Sequence, residues 1–168
     1  MSLNETNPTT VERKSDRELV VTRTVNGPAK LVFDAWAKPE LFQRWWAPES
    51  FQVTIISYEA DVRTGGTYRL VMGHPSSEKP MAFFGKYIEV FPHARIVWTN
   101  DEGDEEGPVT TVSFEAHGGE TLVIVHDLYP SREALDEAIA SGSTSGWDQQ
   151  LQQLEAIVTK LDAGVTGS

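Results

Sequence analysis

The chain has 168 residues, 39% of them apolar, and a formal net charge of −11 at neutral pH. That length fits one domain and would cramp two. So acidic a chain repels phosphate backbones and anionic lipid, which argues against nucleic-acid binding and membrane docking. The absence of cysteine removes disulfides, thiolate catalysis and Cys-ligated zinc or iron–sulfur centres. With 5 Trp, 4 Tyr and 7 Phe the chain has ample material for a core.

Residues 1–16 are polar and aperiodic and read as a solvated tail. They contain no apolar stretch of the kind a signal peptide needs, and no run of about 18 apolar residues occurs to span a membrane. The expected location is the cytoplasm. A single domain is expected over residues 17–163, with 164–168 as a second short tail.

Glu18–Val25 alternates and is rich in β-branched residues, which predicts a first strand. Asn26-Gly27-Pro28 breaks it, and Pro28 suits the first turn of a helix carrying Val32, Phe33, Ala35 and Trp36. Pro39 opens a second short helix with Leu41, Phe42, Trp45 and Trp46. After Pro48 the chain becomes short apolar runs between turn residues: Phe51–Tyr58, Thr67–Met72, Met81–Phe91, Arg95–Asn100, Val109–Glu115 and Thr121–Leu128. These make seven strands, and their short links predict antiparallel pairing. Ser131 can cap a helix reaching Ala140, which Ser141-Gly142-Ser143 weakens. Trp147, Leu151, Leu154, Val158 and Leu161 then form one apolar stripe on a helix of about 19 residues, roughly 30 Å long.

A two-residue turn at Gly118-Gly119 sets Phe114 opposite Val123, Val112 opposite Val125 and Thr110 opposite Asp127. Asp127 therefore shares the apolar inner face. By the same period of two, Tyr68, Leu70 and Met72 share a face, as do Ile96, Trp98 and Asn100. One helix, about 10 Å across, cannot cover seven strands laid flat, so the sheet must curl around it. The leftover space is either filled by Tyr68, Met72, Trp98 and Trp147 or left as a cavity that they line.

Several motifs carry a family resemblance: Gly27-Pro28 with Val32-Phe33 and Ala35-Trp36, Pro39-Glu40 with Trp45-Trp46, and the run Asp61 to Tyr68 through Gly65-Gly66. Gly85 to Val90, Arg95 to Thr99, and Gly146-Trp147-Asp148 with Leu151 and Leu154 continue it. Their order and spacing over residues 18–162 resemble the family of the C-terminal domain of the Hsp90 ATPase activator, within the START-like (SRPBCC, Bet v 1-like) superfamily. The resemblance implies an α+β helix-grip fold. A curved seven-stranded antiparallel sheet would surround a long C-terminal helix, with two short helices after the first strand. It also implies an apolar cavity and places Trp46 near its mouth. Relatives include ligand carriers, co-chaperone domains and cyclase-type enzymes, so the fold alone does not choose a function.

The leading expectation is a non-enzymatic binder of a small hydrophobic or amphipathic molecule such as a lipid, sterol or aromatic compound. Trp46, Tyr68, Leu70, Met72, Tyr87, Trp98, Trp147 and Leu151 are the candidate lining, and Asn100 and Asp127 would orient polar ends. Trp45 reads as core. Asp127 has two readings: solvated at a frayed strand end beside Tyr129-Pro130, or buried inside with a raised pKa. The neighbouring His126 would point outward.

Two alternatives stand beside this. One is an Hsp90 co-chaperone-like interaction protein, with the acidic surface as the candidate partner site. The other is a cyclase- or hydrolase-type enzyme, for which Asp127 and Glu89 are the candidate carboxylates. No nucleophile–base pair is evident, so no catalytic residue is assigned. The segment Gly142 to Gly146 superficially resembles a nucleophile elbow but follows no strand. No cofactor is expected, because neither G-x-G-x-x-G nor a Walker A sequence occurs. No metal is expected either. The four histidines lack ligand spacing, and the acidic run 101–106 reads as a solvated hairpin tip without the ligand order of an EF-hand.

Overall fold

The computed structural model describes residues 9–47, 52–76, 78–101, 107–140 and 146–166, with side chains to residue 162. The acidic tip at 102–106, the helix break at 141–143 and most of the elbow-like segment lie outside the described residues.

The elements follow in the order β1 (Thr10–Arg13), β2 (Glu18–Val25), α1 (Ala29–Ala37), α2 (Pro39–Phe42), β3 (Thr54–Ala60), β4 (Thr67–Gly73) and β5 (Met81–Phe91). Then come β6 (Arg95–Thr99), β7 (Val109–His117), β8 (Glu120–Leu128), α3 (Arg132–Ala140) and α4 (Trp147–Thr166). The strands form one eight-stranded sheet in the order β1-β2-β8-β7-β6-β5-β4-β3, and every pairing is antiparallel. The sheet curves around α4, which makes this an α+β helix-grip fold.

Local chemistry explains the boundaries. Pro28 precedes the first helical residue of α1, and its carbonyl accepts from the amides of Leu31 and Val32. Pro39 opens α2 with φ already suited to a helix. The Ser131 hydroxyl accepts from the Ala134 amide at 3.1 Å, capping α3. Gly118 turns β7 into β8 at φ +65°, and the pairing runs Thr110 to Asp127, Val112 to Val125 and Phe114 to Val123, as the two-residue turn requires. At the β3–β4 turn only Gly65 has positive φ, at +88°. Gly66 is needed for space, since a Cβ there would meet the Asp61 carbonyl oxygen at 1.9 Å.

Three strand expectations are corrected. The segment read as a solvated tail supplies β1, whose four side chains are all exposed but whose residues pair with Leu19 to Thr22. Its order comes from backbone hydrogen bonds, which leave no apolar pattern in the sequence. The third strand runs Thr54–Ala60, later than Phe51–Tyr58, and carries a bulge between Ile55 and Ser57. Glu89 is not an inward carboxylate. Straight alternation from buried Tyr87 would aim it inside, but the register shifts between Tyr87 and Glu89, and Glu89 instead accepts from Arg95 Nε at 2.6 Å on the outer side.

The core lies on one side of the sheet. Trp147, Leu151, Leu154 and Val158 of α4 are buried against Val32, Phe33 and Trp36 of α1 and against Val21, Val25, Val112, Phe114, Val123 and Val125. Gly27 permits the close approach, because a Cβ there would meet Val158 Cγ1 at 2.3 Å. Arg23, only 3% exposed on the inner face of β2, donates to Glu155 Oε1 of α4 at 2.7 Å and to the Thr9 hydroxyl at 2.9 Å. The other Glu155 oxygen accepts from the Asn26 amide at 2.8 Å, so one carboxylate ties the helix to the end of β2. Both helices thus lie over β2, β7 and β8. Truncating the helix stripe tests this arrangement: Leu154→Ala should lower stability by about 2–5 kcal/mol in urea unfolding, and a loss below about 1 kcal/mol would mean that α4 is not the keystone of the core.

Candidate functional site

Beyond the N-terminal end of the α4 stripe, only the short α2 packs against β3, through Phe42 on Tyr58, and a cavity of about 450 Å³ opens over β4 to β6. Alternation aims one side of each strand into it: Tyr68, Leu70 and Met72 from β4, Met81, Phe83 and Tyr87 from β5, Ile96 and Trp98 from β6, Thr110 from β7 and Asp127 from β8. Asn100, just past β6, and Tyr129, just past β8, continue the same faces. Trp36 of α1, Phe42 of α2, the following Trp46, and Trp147 and Gln150 from the first turn of α4 close the helical side.

Of the ten residues nominated from sequence, nine line this space: Trp46, Tyr68, Leu70, Met72, Tyr87, Trp98, Asn100, Asp127 and Trp147. Leu151 does not. It lies one turn further along α4, fully buried between helix and sheet. The two adjacent indoles divide as expected. Trp45 is fully buried and donates Nε1–H to the Ala35 carbonyl at 2.9 Å, while Trp46 reaches the cavity.

Sequence reasoning missed several lining residues. Phe83 shares the period of Tyr87, Thr110 is the register partner of Asp127, and Gln150 lies one turn after Trp147, so each had a usable signal. Trp36 and Tyr58 had none, since only the tertiary arrangement brings them in. Trp36 is the hub of the aromatic wall, with ring centroids 5.9 Å from Trp98, 6.1 Å from Trp46 and 6.4 Å from Trp147. Phe42 stacks on Trp46 at 4.8 Å and on Tyr58 at 4.7 Å. Such ring contacts hold the wall rigid at about 0.5–1.5 kcal/mol each beyond burial. Gln150 fixes Trp46 further by donating to its carbonyl at 2.6 Å.

A polar seam crosses the sheet inside this wall. Tyr68 donates its hydroxyl to the Thr99 carbonyl at 2.8 Å. The Asn100 amide donates to the Pro108 carbonyl at 2.7 Å and to Thr110 Oγ1 at 3.2 Å. Thr110 donates in turn to Asp127 Oδ1 at 2.5 Å. Asp127 is 7% exposed and lies within β8, so the frayed, solvated reading of this residue is overturned. Pairing with β2 on one side and β7 on the other keeps the strand end in place. Burial pushes its pKa up to about 6, against the opposing pull of the Thr110 hydrogen bond and the nearby His126. Its Oδ2 accepts no hydrogen bond from the described residues, and the residue lines the cavity. His126 points to the opposite face, where Nε2 meets Glu18 Oε2 at 2.8 Å. Burial also raises the pKa of Tyr58 and Tyr87, whose hydroxyls are 3.5 Å apart, and takes Tyr129 up to about 12 with help from the Asp127 charge.

The arrangement can enclose an apolar body and meet one polar end. Among the described residues, no group of three or more His, Asp or Glu could hold a metal ion, and no helix is long and apolar enough to cross a membrane.

The Asp127 shift carries a stability consequence. Its folded pKa exceeds the ordinary 3.8, so the native state holds the proton more tightly than the unfolded chain does. The ionisation penalty is absent below about pH 4, grows as pH rises and is complete above about pH 6. Asp127→Asn should therefore be more stable than the parent at pH 8, by about 2–3 kcal/mol, with the gain vanishing near pH 4. Urea midpoints across that range check this, and a pH-independent difference contradicts it.

The family model described as Activator of Hsp90 ATPase homolog 1-like protein matches residues 26–159. No curated protein matches the chain. Among solved structures, a Chromobacterium violaceum protein is 30% identical, with a TM-score of 0.69 over 84% of this chain and 96% of its own. A Nitrosomonas europaea protein is 20% identical with a TM-score of 0.80, covering 90% of this chain and 99% of its own. A protein of Aeromonas hydrophila called AHSA1-like is 19% identical with a TM-score of 0.65, covering 84% of this chain and 93% of its own. Below a quarter identity, the last two speak for the fold alone. The family match runs from the end of β2 into α4 and takes in every described lining residue of the cavity, and the chain belongs to the Activator of Hsp90 ATPase homolog 1-like family.

Proposed function

We propose that the protein binds one small hydrophobic or amphipathic molecule in the cavity between the β3–β6 half of the sheet and the start of α4. The observation that carries this reading is the cavity itself: about 450 Å³, partly open, and walled largely by aromatic side chains. Sites for small ligands typically measure about 300–1,000 Å³ with just such an apolar lining and a few converging polar groups. Here the polar groups are Asn100, Thr110, Asp127 and Gln150. Trp46, Tyr68, Leu70, Met72, Tyr87, Trp98 and Trp147 supply the contact surface. A ligand burying about 300 Å² of apolar area would gain roughly 7 kcal/mol before the costs of ordering.

Binding without catalysis is the reading that the wall supports best. Asp127 can hold or release a proton, but the described lining residues bring no activated nucleophile beside it. N-phenylnaphthylamine, an uncharged fluorophore, should bind saturably and one-to-one with increased emission. Leu70→Trp, which adds an indole at the cavity wall, should weaken that binding at least about tenfold while keeping the thermal midpoint within a few degrees. Equal binding by parent and variant would show that the dye does not enter the cavity.

A further inference from the structure

The charge and hydrogen-bond polarity of the wall restrict what can fill it. Among the described residues, the one charged side chain lining the cavity is the Asp127 carboxylate. No Lys, Arg or His stands among the described lining residues, and none of the undescribed residues is of these types. Along the seam the hydrogens are already spent. Tyr68 gives its hydroxyl proton to Thr99, Asn100 gives both amide hydrogens to Pro108 and Thr110, and Thr110 gives its own to Asp127. The seam therefore ends in lone pairs at Asp127 Oδ2, and a ligand meeting it must bring the donor.

The apolar part of the wall adds to this. The indole faces of Trp36, Trp46, Trp98 and Trp147 are electron-rich and attract cations that have left water. The net charge of −11 raises the local concentration of cations around the whole molecule. A carboxylate ligand such as a fatty acid would lie in the same low-dielectric space as Asp127 with no positive side chain to offset either charge.

We infer that the ligand is an amphipathic cation: an apolar, ring-sized body carrying a protonated nitrogen that donates to Asp127 Oδ2. This rests on the cavity being the binding site and adds the chemical class of its occupant. Pairing would relieve the desolvated carboxylate, which now has Thr110 as its only hydrogen-bond donor among the described residues. The groups around Asp127 do not compete for this role. Leu19 of β2 is its strand partner, Thr110 faces it from β7, and Tyr129 follows it with its hydroxyl pKa raised. Trp147 and Gln150 of α4 are uncharged, and His126 is engaged with Glu18 on the other face.

Three probes of one skeleton test the inference by isothermal titration at pH 7.5: naphthylethylamine, naphthylethanol and naphthylacetate. The amine should bind at least about tenfold more tightly than the alcohol, and the acetate should bind weakest. Asp127→Asn should erase the preference for the amine while retaining the alcohol. At pH 6, amine binding to the parent protein should also release a fraction of a proton, read from titrations in buffers of different ionisation enthalpy, and the alcohol should release none. That readout stands even if the variant fails to fold. An alcohol or acetate that binds as tightly as the amine, or a preference that survives Asp127→Asn, overturns the cation assignment and leaves the cavity reading intact. Failure of all three probes overturns the assignment, and if N-phenylnaphthylamine also fails to bind, the cavity reading falls with it.

Discussion

One α-helix is about 10 Å across, whereas eight strands spaced about 4.8 Å apart would span more than roughly 30 Å if flat. That mismatch governs the structure. Curling brings the sheet around α4 but cannot bring every strand against it. The helix lies over β2, with α1 beside it over β7 and β8, their buried side chains forming one core and the Arg23–Glu155 pair fastening the middle of α4. The strands from β3 to β6 then have apolar inner faces that α4 does not cover, and only the short α2 reaches β3. Aromatic side chains from α1, α2 and the start of α4 lean over this gap and roof it without filling it.

The same geometry accounts for the polarity of the site. The seam from Tyr68 to Asp127 runs where β4, β6, β7 and β8 pass beneath the cavity, and each strand gives it an inward residue or a neighbouring carbonyl. A carboxylate at its end is costly in a purely structural core, since an apolar residue at position 127 would match Val123 and Val125 on the same face. Local strain or expense retained in a fold is expected at sites of function. The aromatic hub shows a similar tension. The Trp36 indole N–H is buried with no acceptor among the described residues, beside rings that are otherwise well packed.

Much of the fold was legible in the sequence because its signals are local. The alternation of β5, the proline before α1 and at the start of α2, and the two-residue turn at Gly118 each fix an element or register within a few residues. Register then carried the argument to the site: once Thr110 faces Asp127, period two places the carboxylate inside. What failed was non-local. The strand β1 is held by backbone bonds to β2 and has no apolar face to reveal it. The shift after Tyr87 reverses the direction of Glu89, and a bulge has no reliable mark in its side chains. Trp36 and Tyr58 enter the cavity through the crossing of α1 and the bend of β3, and Leu151 leaves it because one helical turn carries it from the roof into the core.

The central claim is that the gap left by one helix on a wide sheet is a usable interior, and the outer face of the sheet is its natural rival. Phe84, Ile88 and Phe91 of β5 are exposed there and could gather apolar molecules without any cavity. Intermolecular nuclear Overhauser effects between a bound naphthyl probe and the protein decide between the two surfaces. The account predicts contacts to Leu70, Met72, Trp98 and Trp147, with none to Phe84, Ile88 or Phe91. Contacts confined to the outer three would contradict it.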